Sequence, residues 1–186
     1  MPYSRILLDK EQLSRIVSRL GAEISSQFRS EDNCMALVVL EGAKTFANDL
    51  LAKVDFPVDI ETITASSYSG ANSTGNVMIE KTGTLGEKIQ GRNILLIDDI
   101  YDTGLTLSRI LDWLKTLQPN SIQTCVLLEK EIEHAKQIDI DFIGTTIEDV
   151  FAIGYGLDFE GQYRDLPCIG ELSEERSQQY NAAPKT

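Results

Sequence analysis

The chain has 186 residues, 42% of them hydrophobic and 25% charged, with a formal net charge of −12. That length fits one domain with a sizeable core, and the composition is that of a globular protein. The acidic excess argues against nucleic acid as a partner, which would want a basic stripe, and it obliges any anionic ligand to be met by local cations, backbone N–H groups or a metal ion.

The opening residues, MPYSRILLDKEQ, carry no signal-peptide pattern, and no apolar run approaches the roughly 20 residues that span a bilayer. A cytoplasmic location with no membrane partner is expected. Leu13, Ile16, Val17, Leu20 and Ile24 share a helical face, predicting an amphipathic helix over 10–28. MALVVL (35–40) reads as a strand buried on both faces, EGA (41–43) as a tight turn, and KTFANDLLAK (44–53) as a helix. Strand-like alternation over 58–68 dissolves into SSYSGANSTGN (66–76), and NVMIE (76–80) resumes a strand. The glycosylation sequon at Asn72 has no meaning in a cytoplasmic chain.

NILLI (93–97) is the next buried strand. Leu107, Ile110, Leu111 and Leu114 then give a helix to about 118, ahead of Pro119-Asn120. SIQTCVLLE (121–129), FIGTTI (142–147) and FAIGYG (151–156) read as three further strands. Strands alternating with helices imply βαβ units and a mostly parallel twisted sheet flanked by helices. Residues 1–172 are expected to be one domain and 173–186 a flexible polar tail. Cys34, Cys125 and Cys168 lack metal-ligand spacing and read as free, buried thiols of a reducing compartment. His134, in the polar stretch EIEHAK, reads as a surface histidine.

Suggestive residues follow the ends of these strands, where open parallel sheets bind ligands. The densest run is IDDIYDTGLT (97–106). Asp98 and Asp99 could accept hydrogen bonds from vicinal hydroxyls or hold magnesium-bound water. Asp102, Thr103, Gly104, Leu105 and Thr106 turn into a helix, where glycine and successive N–H groups can cradle an anion. Acids for a sugar beside donors for a phosphate suit a phosphorylated ribose. Helix-capping acids, or a receiver-type magnesium site, would account for the run equally well on local chemistry.

LLIDDIYDTGLT resembles the phosphoribosyl-pyrophosphate (PRPP) signature of type I phosphoribosyltransferases. ASSYSG, VLLEK and FAIGYGLDFEGQYRDLP are similar to the mobile Ser-Tyr loop, the lysine strand and the purine and pyrophosphate segment of the hypoxanthine-guanine branch. The resemblance implies that family's fold, with a small hood region beside the sheet, and transfer of phosphoribosyl from PRPP to N9 of a 6-oxopurine. It implies Asp102 as the general acid/base near the purine N7, and 5′-phosphate binding by Asp102 through Thr106. Asp98 and Asp99 would face the ribose hydroxyls and Mg2+. Lys130 would donate to the purine 6-oxygen, Phe151 would stack on the base, and the Ala152 backbone would meet its edge. Asp158 would hold a second Mg2+. Arg164, with the Glu41-Gly42 turn, would bind pyrophosphate, and Ser67-Tyr68 would tip a lid that excludes water.

Glu41 departs from the family, whose members often carry lysine before this glycine. The resemblance further implies a homodimer or homotetramer with small-molecule substrates. Two competing readings are a PRPP- or nucleotide-binding transcriptional regulator of the same fold, and a xanthine-preferring transferase.

Overall fold

The apolar runs and amphipathic segments assemble into two sheets in a computed structural model that describes residues 1–29, 33–67, 77–80 and 84–173. The strands are β1 (Tyr3–Leu8), β2 (Cys34–Leu40), β3 (Asp59–Ser67), β4 (Val77–Glu80), β5 (Asn93–Tyr101), β6 (Ser121–Lys130), β7 (Phe142–Ile147), β8 (Ala152–Ile153) and β9 (Ile169–Leu172). The helices are α1 (Lys10–Gln27), α2 (Lys44–Leu51), α3 (Leu85–Ile89) and α4 (Leu105–Thr116).

The larger sheet has the order β4-β3-β2-β5-β6-β7. Its pairs are parallel except β3 with β4, which run antiparallel. From β2 the chain winds outward to β3, then returns to β5 on β2's other side and winds the opposite way to β6 and β7. The direction reverses between β2 and β5, so the loops leaving their carboxyl ends part and open a crevice. Both strands are buried on two faces, and their side chains alternate between two cores. Ala36, Val38, Leu95 and Ile97 pack with Leu13, Val17, Leu20 and Ile24 of α1 and with Phe46 and Leu50 of α2. Met35, Leu37, Val39, Ile94 and Leu96 pack on the other face with Leu107, Ile110 and Leu114 of α4. A capping box starts α1: Asp9 Oδ1 accepts from the Gln12 N–H at 2.8 Å, and Gln12 Oε1 accepts from the Asp9 N–H at 2.9 Å.

The smaller sheet, ordered β1-β9-β8, is the expected hood region. It joins the two ends of the chain, with Tyr3 opposite Leu172. FAIGYG was expected to be a strand throughout, but only Ala152–Ile153 is one, and it belongs to this small sheet. Gly154, Tyr155 and Gly156 have φ of 98°, 53° and 105°, and no strand continues through three left-handed residues. The sequence reading also stopped two strands early. β5 runs on through Asp98, Asp99 and Tyr101, and β6 runs on to Lys130. α2 and α4 each end two residues sooner than their expected limits. Cys34, Cys125 and Cys168 are buried, as expected, and none of them is in a disulfide. No helix among the described residues is long and apolar enough to cross a membrane.

Candidate active site

The crevice is built by an inequality of strand lengths. Pairing of β5 with β2 ends at Ile97 opposite Val38, while its pairing with β6 continues to Tyr101 opposite Glu129. Asp98 and Asp99 therefore stay in the sheet, but the side facing β2 is released, and the turn after β2 folds into that space. Gly42 lies against the Asp99 carboxylate so closely that a Cβ there would overlap Oδ2. On its other side the Gly42 carbonyl lies against Gly156, where a Cβ would overlap it. Glycine is required at 156, where a Cβ at positive φ would meet backbone, while at 42 it leaves the Asp99 carboxylate undisturbed. The first turn, the acidic strand and the late segment thus meet at one point. Glu41 is exposed, and its carbonyl accepts from the Lys44 N–H at 3.2 Å.

Asp98 is 6% exposed and accepts the Asp99 N–H at 3.0 Å. Burial, and then the neighbouring Asp99 charge, push the Asp98 carboxyl well above the usual range. Burial also raises Asp99, against opposing contributions that include its contact with Asp98 and the Arg164 charge. Among the described residues neither carboxylate forms an ion pair. Two adjacent, desolvated carboxylates without an ion-pair partner among the described residues form a donor set that suits a hard divalent cation. The described residues hold no group of three His, Cys, Asp or Glu able to cage one, so an ion here would need further oxygen ligands from a bound substrate. That is the usual manner of magnesium.

The turn that follows is shaped by Gly104, at φ 80°. A Cβ there would overlap the Lys136 carbonyl, so only glycine passes. Gly104 is also the residue preceding α4, which has no side-chain cap and no acid in its first turn. Thr103 Oγ1 lies 3.5 Å from the Leu105 N–H, too long to be a strong bond. Asp102 does not cap α4, so the helix-capping reading of these acids does not hold. The first amides of α4, with the Thr106 side chain among them, remain as donors for an anion.

Lys130 ends β6 with its ammonium 3.4 Å from Asp102 Oδ1 and 3.1 Å from Asp149 Oδ1. Two residues beyond Asp149, Phe151 is 51% exposed and meets Phe159 edge-to-face at 5.4 Å. The Leu172 N–H donates to the Phe151 carbonyl at 2.8 Å. Alternation along an antiparallel pair then turns the Ala152 N–H and C=O away from β9, towards the free edge of β8. Arg164 Nη1 donates to the Gly156 carbonyl at 2.7 Å, and Nη2 lies 2.6 Å from Asp158 Oδ1. Asp158 Oδ2 accepts the Gly161 N–H at 2.6 Å. Asp158 is therefore already engaged and does not join Asp98 and Asp99 in one cluster. Ser67 is the last residue of β3, and Tyr68 lies outside the described residues.

Three contributions were not legible in the sequence. Gly156 is the late segment's contact with the first turn. Tyr155 donates its hydroxyl to Asp49 Oδ2 at 2.5 Å, pinning the late segment to α2; burial and that carboxylate raise its phenol far above the ordinary value. His134 is not a surface residue: its side chain is 8% exposed and stacks on Tyr101 at 3.9 Å. An aromatic two residues after Asp99, on the same face of a strand of period two, was the available signal for Tyr101; nothing local marked His134.

Residues 4–160 match the phosphoribosyl transferase domain family. The chain is 40% identical over 171 residues to a hypoxanthine-guanine-xanthine phosphoribosyltransferase of Tritrichomonas foetus, covering 91% of this chain and 92% of that protein. It is 38% identical over 180 residues to a hypoxanthine-guanine phosphoribosyltransferase of Mycobacterium avium, covering 94% and 88%. A crystal structure of a hypoxanthine phosphoribosyltransferase from Staphylococcus aureus superposes with a TM-score of 0.87 at 33% identity, over 94% of each chain.

Proposed function

Because the chain belongs to the phosphoribosyltransferase family, we propose that it is a purine-salvage enzyme transferring phosphoribosyl from PRPP to N9 of a 6-oxopurine, releasing pyrophosphate. The observation that carries this reading is the meeting of Asp99, Gly42 and Gly156 at the crevice between β2 and β5. On this reading the turn at 102–106 cradles the 5′-phosphate, Asp98 and Asp99 meet the ribose, Arg164 meets the pyrophosphate, and the exposed Phe151 ring takes the base. The relatives' names bear directly on the same reading.

The α4 amides and the Thr103 and Thr106 hydroxyls take the 5′-phosphate. Asp98 and Asp99 face the ribose hydroxyls. Gly42 and Arg164 receive the pyrophosphate, the guanidinium offering paired donors. Phe151 offers its face to the purine and Ala152 its backbone edge. Lys130, which leans on Asp102 and Asp149 in the free protein, is within reach of a purine 6-oxygen once a base displaces that contact. Asp102 accepts the proton that N7 loses as N9 becomes the nucleophile. Mg2+ held beside Asp98 and Asp99, and a second ion held by Asp158, would neutralise charge on the departing pyrophosphate. Closure of Ser67-Tyr68 over the site would keep water from the cationic anomeric carbon.

Uncompensated carboxylates at the ligand site argue for a substrate that brings its own cation. Asp102 and Lys130 in contact favour catalysis over a regulator that merely binds PRPP. We place the protein in the cytoplasm, in keeping with three buried cysteines outside any disulfide, as a homodimer or homotetramer. Residues 1–172 form one domain, in keeping with the pairing of β1 with β9; residues 173–186 are a flexible polar tail. The test is pyrophosphate release by the purified protein with PRPP and Mg2+, supplied in turn with hypoxanthine, guanine and xanthine. Turnover with at least one 6-oxopurine, and none with adenine, is expected. Tight PRPP binding without turnover on any base would favour the regulator, and turnover on xanthine alone would favour that transferase.

A further inference from the structure

His134 is the protein's only histidine, and the reaction described above gives it no part. It belongs to a strap, residues 134–138, that crosses β5 and the turn after it. Four contacts tie the strap down. His134 Nδ1 meets the Asp102 carbonyl. The Lys136 N–H donates to the Thr103 carbonyl at 3.0 Å. The Tyr101 hydroxyl donates to the Lys136 carbonyl at 2.8 Å and accepts from the Ile138 N–H at 3.0 Å. The imidazole lies flat on the Tyr101 ring, 19° from parallel, with Nε2 3.7 Å from Glu129 Oε1. Because its partner is a carbonyl, Nδ1 is the nitrogen that carries the proton.

A trans peptide is planar, and its C=O and N–H point in opposite directions. A carbonyl of Asp102 held by His134 therefore aims the Thr103 N–H away from the strap. A carbonyl of Thr103 held by Lys136 does the same for the Gly104 N–H. These are consecutive amides at the mouth of α4, and consecutive amides pointing one way make an anion nest. The Lys136 bond is made by backbone and survives any side-chain change. The Asp102 bond depends on one side chain.

We propose that His134 is a positioning residue that orients the phosphate-binding amides of the turn by holding the Asp102 carbonyl. The proposal rests on the reading of that turn as the site of a sugar 5′-phosphate. It predicts that the donor at Nδ1 matters, and that the bulk of the ring does not.

Three variants separate these. His134→Asn places an amide N–H near the Nδ1 position. His134→Phe keeps a ring against Tyr101 but offers no donor. His134→Gln places its donor where Nε2 lies. Binding of ribose 5-phosphate and of inorganic pyrophosphate is measured for each by titration calorimetry, with melting temperatures alongside. We expect the Phe and Gln variants to bind ribose 5-phosphate about tenfold more weakly, the scale of one hydrogen bond, and pyrophosphate as the wild type does. The Asn variant should recover to within about threefold on the same scale. Phe binding ribose 5-phosphate as tightly as wild type, Asn no better than Phe, or both ligands weakened alike with a collapsed melting temperature would each overturn the proposal. A wild type that binds no ribose 5-phosphate would instead remove the functional reading beneath it.

Discussion

Asp98 and Asp99 are held side by side although burial opposes the charge of both, and the Asp99 charge further opposes that of Asp98. The sign of the consequence follows from linkage. A carboxyl whose folded pKa is raised binds its proton more tightly in the native state, so the stability it contributes is full below the unfolded pKa and declines as pH rises through the folded one. The ligand-free protein should therefore lose stability as pH climbs above the usual carboxylate range. Asp98→Asn removes a charge but keeps an oxygen for the Asp99 N–H, and its amide can donate to Asp99. We expect the variant to melt a few degrees higher than wild type at neutral pH, about 1 kcal/mol corresponding to roughly 2–4 °C at this size. It should also bind PRPP with Mg2+ more weakly. Scanning calorimetry at pH 5 and pH 8 checks this, because the advantage should shrink at the lower pH. A variant less stable than wild type at both values would contradict the account.

At the scale of elements, the site exists because β5 outruns its pairing with β2 and the turn at 41–43 fills the space. Gly42→Ala tests that packing. The added methyl would press on the Asp99 carboxylate, which can swing away at small energetic cost, so the fold should tolerate it better than the site does. We expect a melting temperature within a few degrees of wild type and at least a roughly tenfold loss of kcat/KM for PRPP, equal to about 1.4 kcal/mol of transition-state binding. Comparable turnover in the two proteins would show that the contact is incidental. The sequence revealed the elements whose signal is local. α1 shows helical apolar spacing, and β2 and the start of β5 are unbroken apolar runs. It concealed those whose signal is tertiary. YSRILL at Tyr3–Leu8 is mostly exposed and becomes a strand by pairing with β9 at the far end of the chain. FAIGYG looked like a strand because its apolar residues are buried, yet three left-handed residues end β8 after two positions. The acids looked like loop residues because polar residues in a buried strand contradict its pattern, which is common where function overrides local consistency.

At the scale of the whole molecule, the winding order and the chemistry agree on one location. The sheet reverses direction between β2 and β5, and there lie the residues that family resemblance marked: Gly42, Asp98, Asp99 and the turn from Asp102 to Thr106. Lys130 reaches the same turn from β6, while Arg164 holds the Gly156 carbonyl where the late segment lies against Gly42, and its charge acts on Asp99. No composition or periodicity argument could have joined positions so far apart in the chain; the motifs were legible one by one, and the sheet supplied their convergence. His134 shows the limit of that reading, since a residue acting through a backbone carbonyl leaves no motif. The net charge of −12 is compatible with a multiply anionic substrate if magnesium travels with it. The central claim is that Asp102 moves a proton for a base bound beside Lys130, on a sugar phosphate held by the same turn. Its most direct test is Asp102→Asn, measured for turnover and for PRPP binding in the same preparation. We predict turnover lower by about 10²–10⁴, the range for removing an acid/base group, with PRPP affinity within roughly threefold of wild type, less than the effect of one hydrogen bond. Undiminished turnover by that variant would contradict the account.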